Sequence, residues 1–105
     1  MAEGVRQFVK YSFYRVDPAW RRLPDGEREE HRRALAAVVG EFGGRMAVRS
    51  YTLVGLRADV DFLLWQVATD LQDVQEMATG VYRTGLGKYL TMPYSYLALT
   101  RRSPY

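Results

Sequence analysis

One histidine, no cysteine and eight tyrosines set the chemical repertoire of this 105-residue chain. Without a thiol there is no cysteine nucleophile, no disulfide framework and no thiolate metal site. His31 stands among charged residues in GEREEHRRA, on what should be the solvent face of a helix. With no second imidazole and no ordered carboxylate spacing around it, it makes a poor metal ligand. The neighbouring Glu27, Glu29, Glu30, Arg32 and Arg33 read as a helix surface, with pairs such as Glu29–Arg33 worth about 0.2–0.5 kcal/mol each. Nothing there desolvates two carboxylates or separates their pKa values for acid–base work. In TGLGKYL, Gly85 and Gly87 precede Lys88 and resemble a phosphate cradle, but such a cradle lies between a strand and the start of a helix. Here the glycines follow a helix and read as its stop. Tyr94, Ser95 and Tyr96, with Tyr105, could serve a redox or proton-transfer site only if a cofactor lay beside them. There is no Ser/His/Asp arrangement. The residue chemistry alone therefore describes a scaffold or a binding module.

The elements that would position these residues follow from patterning. Arg6 to Arg15, RQFVKYSFYR, is rich in β-formers and reads as a strand. Pro18 and Pro24 in VDPAWRRLPD then force a loop. Asp25 is placed to cap a helix running to about Phe42, with Leu35, Val38, Val39 and Phe42 at i, i+3, i+4 and i+7 and Gly43-Gly44 as the stop. Arg45 to Gly55 and Val60 to Val67 read as two strands of a hairpin across a short LRAD connection. Thr69 or Asp70 begins a second helix that presents Leu71, Val74, Ala78 and Val81 on one face. Pro93 to Thr100 is a final strand. The order β-α-β-β-α-β predicts a ferredoxin-like α+β fold: an antiparallel four-stranded sheet with two helices on one face.

A chain of this length is one domain with a thin core, and 48% hydrophobic with 26% charged residues exclude a disordered segment. The net charge of +3 is spread over arginines from Arg21 to Arg101, with no block suited to nucleic acid. No apolar run approaches the roughly 20 residues that span a bilayer, and Met1 to Gln7 lacks the apolar stretch of a secretory signal. With no cysteine, a cytoplasmic location is expected.

Strand parity divides the sheet residues into two sets. One, with Val9, Tyr11, Phe13, Val48, Leu63, Trp65, Val67, Leu97 and Leu99, is almost wholly apolar and is expected to meet the helices. The other is mixed but highly aromatic. Its members Tyr14, Arg49, Tyr51, Phe62, Leu64, Gln66, Tyr94 and Tyr96 are expected to form an interface with a second sheet, since a monomer rarely exposes such a patch.

Three stretches carry a family resemblance: FVKYSFYRVDPAWRRLP, VRSYTLVGLRADVDFLLW and TGLGKYLTMPYSYLALTRRSPY. In that order they resemble the N-terminal half of chlorite dismutase-family proteins, most of all the coproheme decarboxylase-like branch, over nearly the whole chain. The resemblance implies a dimeric α+β barrel, in which two ferredoxin-like halves pack sheet against sheet and protomers assemble into larger rings. It implies haem or coproheme as cofactor. It also implies that the iron-ligating histidine, the distal residue and the groups around the reacting propionates belong to the second half, so no catalytic or cofactor residue carries over to this sequence.

Two functions follow as expectations. The chain is the non-catalytic structural and assembly half of a haem protein, binding haem weakly or not at all by itself and partnered by a companion chain or by its own copies. Alternatively it is a standalone homodimeric barrel that binds or acts on a small organic ligand, with Arg49, Tyr51, Gln66 and Tyr96 as the polar groups of its pocket. No nucleic acid and no membrane span enter either reading.

Overall fold

The computed structural model describes residues 6–101, so Tyr105 lies outside the described residues. The chain runs β1 (Arg6–Val16), a 3-10 turn (Pro18–Arg22), α1 (Asp25–Phe42), β2 (Ala47–Thr52), β3 (Phe62–Ala68), α2 (Leu71–Arg83), a second 3-10 turn (Leu86–Tyr89) and β4 (Leu90–Arg101). The strands form one sheet in the order β2-β3-β1-β4, with every neighbouring pair antiparallel. Each helix thus bridges two strands that flank a third. This is the ferredoxin-like arrangement expected from the element order.

Local chemistry explains the joints. Asp17 accepts from the Ala19 amide and starts the first turn, with Pro18 where no amide hydrogen is needed. The Asp17 amide donates to the Tyr89 carbonyl, tying the two turns together. Asp70 caps α2 by accepting from the Gln72 amide. Asp25 does not cap α1: Pro24 occupies that position without a side-chain bond, and Asp25 lies in the first turn, paired with Arg28. Asp61 clamps the end of β1, its amide donating to the Tyr14 carbonyl and its carboxylate accepting from the Val16 amide, both at 2.7 Å. The β1–β4 register shifts between Phe13 and Arg15 at the same place.

Two glycines are set by close approach. A Cβ on Gly85 would lie 2.5 Å from the His31 ring, and one on Gly87 would run into the backbone of Val81 and Tyr82. They do not end α2, which stops at Arg83 with Thr84 as its cap; they belong to the following 3-10 turn and let it lie back against both helices. His31 is accordingly not on the solvent face. It is half-buried, accepting at Nδ1 from Trp20 Nε1 at 3.0 Å and lying 6.3 Å from the Tyr89 ring.

The core lies between the helices and one face of the sheet: Phe42 from α1, Val74, Met77 and Val81 from α2, and Tyr14, Leu64 and Ala68 from the strands. Tyr14 is 2% exposed and its ring stacks on Phe62 at 5.1 Å. The sheet face expected to meet the helices is therefore corrected. In β1 and β3 the even-numbered residues Ser12, Tyr14, Leu64, Gln66 and Ala68 are buried beneath the helices, while Val9, Tyr11, Phe13, Leu63, Trp65 and Val67 take the opposite face. The relative phase of strands is set by pairing. Tyr96 lies across from Tyr11 and Tyr94 from Phe13, whereas Leu97 and Leu99 lie across from Lys10 and Phe8. No helix among the described residues is long and apolar enough to cross a membrane.

Candidate functional site: the open face of the sheet

The eight residues expected at the sheet interface divide between the two faces. Tyr14, Phe62, Leu64 and Gln66 belong to the helix side and are packed within the chain's own core or at its margin. Their place beneath α1 and α2 removes them from any sheet-to-sheet contact. Arg49, Tyr51, Tyr94 and Tyr96 stand on the opposite face, which no element among the described residues covers. The polar set Arg49, Tyr51, Gln66 and Tyr96 is divided in the same way, because Gln66 points to the other side and donates to the Met77 sulfur at 3.1 Å.

The open face draws residues from all four strands. Phe13 stands at its middle, edge-on to Tyr94 at 6.2 Å and to Tyr96 at 6.0 Å. Trp65 and Leu63 lie beside it on β3, half-buried only by their neighbours. On β2 the Arg49 guanidinium lies 6.0 Å from the Trp65 ring, and Tyr51 pairs across with Leu63. Tyr51 is 47% exposed and Tyr96 57%. Alternating aromatic and aliphatic partners across antiparallel strands stabilise the sheet, yet leave an apolar surface in water.

One end of this face is polar. In the connection between β2 and β3, Arg57 grips Asp59 through two hydrogen bonds of 2.8 and 2.9 Å, and its guanidinium lies 5.2 Å from the Tyr94 ring. Bonds from Arg57 first, then from the Tyr94 hydroxyl, hold the Asp59 carboxyl at about 2, while the carboxylate pushes the Tyr94 hydroxyl up. The contribution of Asp59 was not read from the sequence, although RAD followed by a strand is the kind of short polar connection in which such a pair forms.

Neither His31 nor the buried Tyr14 is disposed to ligate a haem iron. The chain's one imidazole has Nδ1 engaged by Trp20 and Nε2 against the backbone of Gly85. Tyr14, buried beneath α2, has its phenol pushed up to about 12, chiefly by burial and then by Tyr82, which disfavours the phenolate an iron would take. Among the described residues no group of three His, Asp or Glu side chains could hold a metal ion.

A four-stranded antiparallel sheet with two helices on one side and an aromatic, uncovered second side defines a ferredoxin-like α+β domain. Residues 28–105 match the chlorite dismutase family, and the chain belongs to it. The coproheme decarboxylase of Staphylococcus carnosus is 29% identical, over 89% of this chain and 39% of its own length. The chain thus spans about two fifths of that curated relative. A mutant chlorite dismutase from Candidatus Nitrospira defluvii superposes with a TM-score of 0.88 at 24% identity, over 96% of this chain and 42% of its own. A haem-binding protein from Thermus thermophilus gives a TM-score of 0.76 at 22% identity, over 98% and 44%.

Proposed function

We propose that this chain is the structural and assembly half of a chlorite dismutase-like haem protein, its open sheet face packing against a second sheet. The observation that carries the reading is the aromatic face itself, built from all four strands and covered by nothing among the described residues. A monomer rarely leaves such a patch to water, and a second sheet packed at about 10 Å would cover it. The family supplies haem or coproheme as the cofactor of the assembled protein. The engaged His31 and the protonated Tyr14 support a division in which the iron ligand comes from elsewhere. The partner is a companion half or a second copy of this chain, and the absence of cysteine suits a reducing cytoplasm.

An absorbance titration of the purified chain with iron coproporphyrin and with haem tests this reading. The expected result is a Soret band that drifts without a saturating shift. A sharp shift saturating at a fixed ratio would show that the chain builds its own haem pocket, and the assembly role would be abandoned.

A further inference from the structure

On the helix side the cover is incomplete. α1 and α2 pack over β2, β3 and β1, but toward the β4 edge Leu97 and Leu99 remain 52% and 54% exposed. Between α2 and the β1–β4 pair lies a cavity of about 270 Å³. Its wall on α2 is largely apolar, with Val74, Met77 and Ala78 beside Gln75, while Ser12 and Gln66 stand on its floor. Among the described residues Gln66 has only thioether sulfurs as partners, the nearer at 3.1 Å, and a thioether is a weak acceptor.

Lys10 is the one charged residue lining this space. Its ammonium donates to the Ser95 hydroxyl, and among the described residues no carboxylate comes within ion-pair distance of it. Burial lowers the Lys10 pKa below its ordinary value, so the charge already bears a desolvation cost that an anion would relieve. Apolar depth, a few neutral polar groups and a single uncompensated cation form the recognition pattern of a small amphiphilic anion.

We propose that this cavity binds a small monocarboxylate with an apolar tail, its carboxylate on Lys10 and its tail along α2. At about 270 Å³ the space falls just below the roughly 300–1,000 Å³ of drug-sized ligand pockets, which suits a small ligand and not a porphyrin. The site lies across the sheet from the association face, so the two readings stand or fall separately.

The test is calorimetric titration of the full chain with octanoate, and with 1-octanol as the uncharged counterpart. Octanoate saturates at one per chain and binds more tightly than octanol. Lys10→Met weakens octanoate at least tenfold and leaves octanol unchanged, while Ala78→Leu, which fills the cavity from α2, weakens both. Methyl NMR of the unaltered chain is independent of any variant's folding: octanoate shifts the Met77 and Met92 resonances along one saturating curve. Absence of saturation, unmoved Met77 and Met92 methyls, or equal octanoate affinity in folded Lys10→Met would overturn the proposal.

Discussion

Replacing Tyr51 and Tyr96 by serine probes the open face directly, because the two lie on opposite edge strands, β2 and β4, with Phe13 and Trp65 between. An aromatic side chain buries about 150–250 Å² in full. At 47% and 57% exposure, each tyrosine has roughly 100 Å² left to lose to a covering sheet, or about 2.5 kcal/mol at 25 cal/mol per Å². Area overstates affinity where ordering costs intervene, so the double variant is expected to weaken self-association at least 100-fold, about 2.7 kcal/mol. Sedimentation equilibrium over a wide concentration range measures this, with far-UV circular dichroism confirming the fold. Leu99→Ser supplies the control, since Leu99 is 54% exposed on the same strand as Tyr96 but faces the other way. It should leave the dissociation constant within about threefold, as a surface substitution outside an interface does. A chain that associates equally well with both tyrosines gone, or that loses association through Leu99→Ser, would refute the assignment of faces.

Other perturbations test the joints and the titrations. Gly85→Ala drives a methyl into the His31 ring and should cost about 1–3 kcal/mol, with a change in Trp20 fluorescence as its bond to His31 is lost. Asp61→Ala leaves the Val16 amide without its partner; the expected cost of about 1–3 kcal/mol appears as a fall in Tm of about 4–8 °C per kcal/mol. The Tyr14 phenol, raised from 10.0 to about 12, stays protonated in the folded chain after an unfolded one would ionise. Its stabilising contribution is whole below pH 10 and is lost as pH climbs toward 12, a slope in urea-unfolding free energy that Tyr14→Phe should remove. Carboxyl NMR is expected to show Asp59 titrating at about 2, and Arg57→Leu should return it toward 3.8.

Elements were legible in the sequence because each has a local cause. Pro18 and Pro24 bracket the loop that the structure shows as a 3-10 turn, and the Leu35–Val38–Val39–Phe42 stripe packs on the core as its spacing requires. The same period carried an unused signal: His31 stands four residues before Leu35, on that stripe, and its charged neighbours obscured it. The choice of sheet face was not legible, for a physical reason. Val9, Tyr11, Phe13, Leu63, Trp65 and Val67 are more apolar than Lys10, Ser12 and Gln66, yet the latter lie beneath the helices. Apolar composition identifies the covered face only where the other face meets water. The phase of β4 against β1 depends on cross-strand register, which no single strand encodes, and a bulge between Phe13 and Arg15 shifts it again. Arg49, Tyr51, Tyr94 and Tyr96 were nonetheless grouped on one face, because each strand's own alternation held even where the phase between strands did not.

That inversion bears on how the open face is used. If it were a free sheet surface, the side holding Lys10, Ser12 and Gln66 would be the better one to leave in water, and the helices would cover Phe13, Leu63 and Trp65. The chain does the reverse. Its apolar centre at Phe13, Leu63 and Trp65 is bordered by charged groups held in place by aromatic contacts: Arg49 against Trp65, and the Arg57–Asp59 pair against Tyr94. An apolar centre with a polar, hydrogen-bonded border is the anatomy of a protein–protein interface. The connection between β2 and β3 extends the apolar surface beyond that border through Val54 and Leu56, which are among the most exposed apolar residues described. The arrangement is costly for a solitary domain and economical for one whose second layer comes from another sheet, which is why association through this face should be the property most sensitive to mutation.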